Sequence, residues 1–143
     1  MSEREAWNKK VIDEFRANAG KVGGMFEGIP LLLLHHQGAK SGAERISPLA
    51  YRTDGDDLVV FASNGGRTFH PAWYHNVVAH PDVTIEVGTD TATATKTATA
   101  RVATGDERER FWSAQKQDVP GFADYEVNAG DRVIPVVVLE PTG

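Results

Sequence analysis

Apolar positions along this chain follow two rhythms. Trp7, Val11, Ile12 and Phe15 recur at steps of three and four, with Glu3, Lys10, Asp13 and Arg16 largely on the other side, which predicts an amphipathic helix. Ser2-Glu3-Arg4-Glu5 fits a capping box at its start, and Gly20 stops it. After the glycine-rich connection Lys21 to Gly28 the rhythm changes. Ile29 to His36 reads as a mostly buried strand broken by Gln37-Gly38. Gly38 to Glu44 is a turn, and Arg45 to Thr53 is the returning strand, with Pro48 marking an edge or a bulge. Asp54-Gly55 is a strong hairpin signal, after which Asp57 to Ser63 forms a third strand. Three antiparallel strands in succession set this chain apart from the parallel nucleotide-binding folds.

The second half alternates in the same way. Pro71 to His80 is a short helix ended by Pro81, because a residue before proline is pushed out of helical geometry. Val83, Ile85 and Val87 alternate with Thr84 and Glu86 as a half-exposed strand. Thr91 to Ala100 has the look of low complexity, yet its strict period of two, with β-branched threonine, predicts a strand running on to Thr104, threonines on one face and alanines on the other. Thr104 or Asp106 caps a helix to about Gln117 that turns Phe111 and Trp112 inward. Phe122 to Val127 is a short helical segment, and Asp131 to Glu140 is the last strand. The sum is an α+β chain of about six antiparallel strands closed into a small barrel, with helices outside. Residues 1–28 form a helix and linker, and residues 29–143 the barrel domain.

Composition narrows the function. The 143 residues suffice for one domain with a real core, and 41% hydrophobic with 24% charged content is ordinary for a soluble globular protein. A net charge of −5 argues against general affinity for nucleic acid or anionic lipid, so an anionic ligand must be held by local cations. The absence of cysteine removes disulfides, thiolate catalysis and cysteine-ligated metal sites. No signal-peptide pattern opens the chain and no apolar run approaches a membrane span, which gives a cytoplasmic location as the expectation. The amphipathic first helix admits weak attachment to a membrane surface or a partner helix as an alternative to packing on its own domain.

Candidate chemistry centres on residues 63–76. There Ser63-Asn64-Gly65-Gly66 leads through Arg67 and His70 into the helix that starts at Pro71. Glycines let backbone amides approach a ligand, and a helix N-terminus with cationic neighbours attracts anions. The same glycines also suit a plain strand-to-helix connection. Lys40, Ser41 and Arg45 sit around one turn, a cradle for phosphate or carboxylate or simply an exposed polar hairpin. A P-loop is excluded, since Leu33 and Ala39 stand where its glycines belong. His70, His75 and His80 step by about 140° around the helix, and His35 and His36 point to opposite strand faces, so no metal site is expected. Ser63 lies in no G-x-S-x-G elbow.

The order of L-L-L-x-H-x-G-A-K-S-G-x-x-R-x-S-P-L, D-G-D-x-L-V-V-F-A-S-N-G-G, H-P-A-W-Y-H-N-V and D-R-x-I-P-V-V-V-L-E-P resembles the deazaflavin-dependent nitroreductase family, from Pro30 to Pro141. The resemblance implies a split β-barrel and coenzyme F420. It implies that Lys40, Ser41 and Arg45 hold the phosphate and acidic tail of the coenzyme, and that Pro48, Leu49 and Ala50 lie beside the deazaflavin ring. Ser63, Asn64, Gly65 and Gly66, with Trp73 and Asn76, would form the other wall, and Tyr125 would close the site. Better-known members that resemble this chain carry an aromatic at the position of Ala50, several tyrosines where only Tyr125 stands, and a lysine at the position of Asn64, which implies a roomier, less aromatic substrate pocket here.

The reaction so implied moves a hydride from C5 of the reduced deazaflavin to an electron-poor small molecule such as a quinone, enone or nitro compound. Ser63 or Tyr125 would donate a hydrogen bond or proton to it. Two alternatives stand beside this one: a carrier that holds F420 or an apolar ligand without turnover, and a split barrel that uses FMN. Related split barrels often pair across the sheet, so a homodimer is a further expectation.

Overall fold

The structure is a computed structural model that describes residues 3–24, 28–89 and 91–142. Ser2, half of the expected capping box, lies outside the described residues. Helix α1 spans Glu3–Ala17, followed by strands β1 Leu31–Gln37, β2 Glu44–Asp54 and β3 Asp57–Phe61. A 3-10 turn at Asn64–Gly66 leads to α2 Ala72–Ala79, β4 Asp82–Gly88, β5 Thr93–Val102, α3 Gly105–Asp118, α4 Gly121–Asn128 and β6 Val136–Pro141. The six strands close into an antiparallel barrel in the order β1-β2-β3-β6-β5-β4, with β4 paired back to β1.

Closure explains the apolar patterns. Leu32, Leu34, Val60, Ile85, Val137 and Leu139 point inward and are buried together, while Trp73 and Val77 of α2 pack on the same cluster. Strands covered on both faces read as unbroken apolar runs, because a second layer buries their alternate residues. Leu31 and Leu33 of β1 pack outward against Val11 and Phe15 of α1. Val59 and Phe61 of β3 and Val136 and Val138 of β6 pack outward against Phe111 and Trp112 of α3. By contrast β5 keeps one face in water: Ala98 and Ala100 are buried, and Thr95 and Thr97 are exposed.

Strand ends shift from the sequence expectation for local reasons. β5 begins at Thr93 rather than Thr91 because the Thr89 hydroxyl gathers the amides of Thr91 and Ala92 into a turn. β6 begins at Val136 rather than Asp131 because Pro135 offers no N–H, and its carbonyl instead accepts from Ala62 at 2.9 Å. β3 stops at Phe61, where the chain winds into the 3-10 turn.

The apolar face of α1 is directed at the barrel, with Val11 and Phe15 buried and only Trp7 substantially exposed, so this helix offers no continuous apolar face to a membrane. No helix among the described residues is long and apolar enough to cross one. Arg16 donates two hydrogen bonds to Glu86 on β4, at 3.1 and 2.7 Å, and this contact holds the Glu86 carboxyl below the usual carboxylate range. Beyond the helix Gly20, at φ +91°, lies on Gly88, where an added Cβ would stand 2.6 Å from the Gly88 Cα. The reverse substitution, Gly88→Ala, places a methyl on the carbonyl oxygen of Ala19. It is expected to cost about 2 kcal/mol by overpacking and to lower the urea midpoint accordingly.

Candidate active site

With its interior filled, the barrel leaves room for a ligand only outside. A cavity of about 1090 Å³ lies against its outer wall, floored by β2 and walled by α1, the turn after β3, the start of α2 and α4. Arg45, Pro48, Leu49, Ala50, Ser63, Asn64, Gly65, Trp73 and Tyr125 all line it, although they come from four separate elements. The sequence reading missed the wall that α1 supplies through Trp7 and Ile12, and it missed Ser47 and Phe122. No local signal marks Trp7 and Ile12, because an amphipathic helix looks the same whether it covers a core or a ligand.

Charge in the cavity is asymmetric. Among the described residues three carboxylates line it, Glu5, Asp13 and Glu44; Asp13 is paired with Lys9 at 2.8 Å and Glu44 with His35 at 3.0 Å. Arg45 and Arg67 also line it, and among the described residues neither guanidinium has a carboxylate partner. The Ser63 and Tyr125 hydroxyls have no hydrogen-bond partner among the described residues. Between these polar points lies the apolar strip of Pro48, Leu49 and Ala50, with Trp73 and Phe122. Such a cavity suits a long, flat ligand with anionic groups.

Four expected ligand contacts do not line the cavity. Lys40 is exposed on the β1–β2 turn, and Ser41 accepts a hydrogen bond from the Ala43 amide at 3.2 Å, holding that turn. Gly66 is buried under α4: a Cβ there would stand 3.0 Å from the Tyr125 Cα and 3.2 Å from the Asn128 Cβ, and φ is +81°. Gly66 thus lets the turn approach the helix that carries Tyr125. Asn76 is buried and bridges two elements, its Oδ1 accepting from the Ala39 amide at 2.9 Å and its Nδ2 lying 2.8 Å from His36 Nδ1. The other His36 nitrogen, Nε2, lies 2.9 Å from the Ser47 hydroxyl.

The turn itself is less bare than its glycines suggest. The amides of Gly66 and Arg67 close back on the carbonyls of Ser63 and Asn64, at 2.9 and 3.2 Å. Pro71 takes the N-cap place, one residue before the helix proper. The loop is gripped by Arg132, which donates to the carbonyls of Arg67 at 3.0 Å, Ala62 at 3.0 Å and Ser63 at 2.7 Å, and to His70 Nδ1 at 2.9 Å. His70 is therefore an acceptor on that side, and burial, with Arg132 and His75 nearby, lowers its pKa. Among the described residues no three His, Asp or Glu side chains gather to hold a metal ion.

Against known proteins, residues 7–141 match the family model described as F420H(2)-dependent quinone reductase. The chain belongs to this family. It is 36% identical over 131 residues to an F420H(2)-dependent quinone reductase of Mycobacterium tuberculosis, covering 87% of this chain and 83% of the relative. A solved F420-H2 dependent reductase (FDR-A) superposes with a TM-score of 0.67 at 37% identity, over 78% of this chain and 94% of that one. A second solved chain, described as a domain-swapped dimer, superposes with a TM-score of 0.68 at 31% identity over 96% of this chain and 100% of its own.

Family membership brings in coenzyme F420, and the residues present fit it. Two unpartnered guanidinium groups suit a ligand with a phosphodiester and carboxylates, and the apolar strip beside them suits its ring system.

Two outcomes follow from the polar scaffold of this quinone reductase homologue. Replacing Arg132 with Lys keeps the charge but loses the planar fork that reaches four acceptors; a loss of about 2 kcal/mol is expected in urea unfolding, with weaker coenzyme binding. Burial pushes His36 down to about 4 from 6.5, with Arg45 and His35 adding to it. The unfolded chain takes up that proton near pH 6.5 and the folded chain only near 4, so stability is complete above 6.5 and declines as the pH falls to 4. The decline attributable to His36 is about 3 kcal/mol, read as the difference between the wild type and His36→Gln in urea unfolding across that window.

Proposed function

We propose that this protein reduces a quinone-class acceptor by placing it against reduced F420 in the cavity between α1, β2 and α4. The observation that carries this reading is the pairing of two unpartnered cations with an apolar strip and two unpartnered hydroxyls in one cavity. Arg45 and Arg67 would hold the acidic arm of the coenzyme, and Pro48, Leu49 and Ala50 would support its ring. Bound there, the reduced coenzyme supplies a hydride from C5.

The chain's own residues supply position and polarity. As hydride reaches the acceptor, negative charge gathers on a carbonyl oxygen. The Ser63 and Tyr125 hydroxyls then serve as donors that stabilise this charge, and one proton completes the hydroquinone. Phe122, 5.2 Å from Tyr125 between ring centroids, limits where the Tyr125 ring can lie. Trp7 and Ile12 of α1 cover the cavity and limit the entry of water. Ala50 leaves space for a larger acceptor than an aromatic at that position would admit.

The test is coenzyme titration by fluorescence followed by turnover with menadione. Arg45→Ala and Arg67→Ala are each expected to weaken coenzyme binding about tenfold. Tyr125→Phe and Ser63→Ala are expected to lower kcat about ten- to a hundredfold, with binding unchanged. Tight binding without menadione turnover would favour the carrier reading, and preference for FMN would replace the coenzyme.

A further inference from the structure

Asn76, His36 and Ser47 form a chain whose polarity can be worked out from one end. The Ala39 backbone N–H can only donate, so the Asn76 atom that receives it at 2.9 Å is the amide oxygen. The Asn76 NH₂ group therefore faces His36 Nδ1 at 2.8 Å and donates to it. An imidazole with a lone pair on Nδ1 carries its proton on Nε2, which donates to the Ser47 oxygen at 2.9 Å. A protonated His36 would set N–H against N–H at Asn76, so the buried ring is held neutral. The serine hydroxyl, occupied as an acceptor, retains its hydrogen for donation elsewhere. Among the described residues it has no protein acceptor, and Ser47 lines the cavity between Arg45 and Pro48.

We propose that Ser47 is a coenzyme-positioning residue, a donor of fixed direction for a carbonyl or phosphate oxygen of the bound coenzyme, aimed by Asn76 through His36. This rests on the F420 reading of the cavity. It also gives a role to the adjacent buried Asn76, which does not line the cavity and passes polarity from a backbone amide to the site through His36, which does.

The relay is read first by ¹⁵N NMR of the histidine rings, where His36 is expected as the neutral tautomer protonated on Nε2; protonation on Nδ1 would overturn the proposal. Ser47→Ala is expected to weaken F420 binding about tenfold, with the thermal midpoint retained, and Ser47→Thr to restore it. Asn76→Asp reverses the chain at a pH where ¹⁵N shifts show the variant's His36 ring neutral, which is where its binding is read: the carboxylate accepts from Nδ1, the bare Nε2 then accepts from Ser47, and the hydroxyl turns away from the cavity. That variant is expected to bind as weakly as Ser47→Ala, and the double variant no more weakly than either. Should Asn76→Asp fail to fold, the Ser47→Ala and Ser47→Thr pair decides the matter. Normal binding by Ser47→Ala alongside weakened binding by Arg45→Ala would sink the relay and leave the coenzyme reading intact. Failure of the wild type to bind F420 would sink the coenzyme reading itself.

Discussion

The barrel interior is full. Leucine, isoleucine and valine side chains from both sides of the closed sheet meet at its axis, and α2 packs Trp73 and Val77 against the same cluster. A six-stranded barrel has too small a bore to hold both a core and a ligand. The room that remains lies outside, against the wall where β2 has half-buried residues and helices stand off from the sheet. The division of labour in this protein follows from that constraint: the barrel supplies rigidity, while the space between barrel and helices supplies the cavity proposed as the site.

Rigidity must then be carried from the barrel to the loops that form the cavity walls. Two polar groups do this. Arg132, in the segment before β6, grips the loop after β3 at three carbonyls and one imidazole nitrogen. Asn76, on α2, holds the β1–β2 turn by the Ala39 amide and fixes His36. Both act on backbone outside the strands, where fewer ladder hydrogen bonds hold the chain. Glycine completes the arrangement at Gly66, where the turn and α4 come too close for a side chain.

Electrostatics gives the cavity its sign although the whole chain is acidic. Cavity-lining Asp13 and Glu44 are engaged by Lys9 and His35, and Glu86 is engaged by Arg16. Among the described residues Arg45 and Arg67 are the lining cations without a carboxylate partner, and they give the cavity its positive points. Net charge describes the field at a distance; pairing describes it at contact range, where a phosphate or carboxylate is recognised.

The periods of apolar residues by themselves determined the six strands, the helices and their order, since a period of two or of three to four is enforced locally by backbone geometry. The linear order of motifs carried the family resemblance, and through it the cavity residues Arg45, Pro48, Leu49, Ala50, Ser63, Asn64, Gly65, Trp73 and Tyr125. Only the tertiary structure decided that Asn76 and Gly66 contact backbone and do not line the cavity, that α1 is a wall of that cavity, and that Arg132 clamps a loop more than sixty residues earlier in the chain. Those roles depend on which backbone groups face one another after the sheet closes. Hydrogen-bond partners so distant along the chain leave no periodic trace in it.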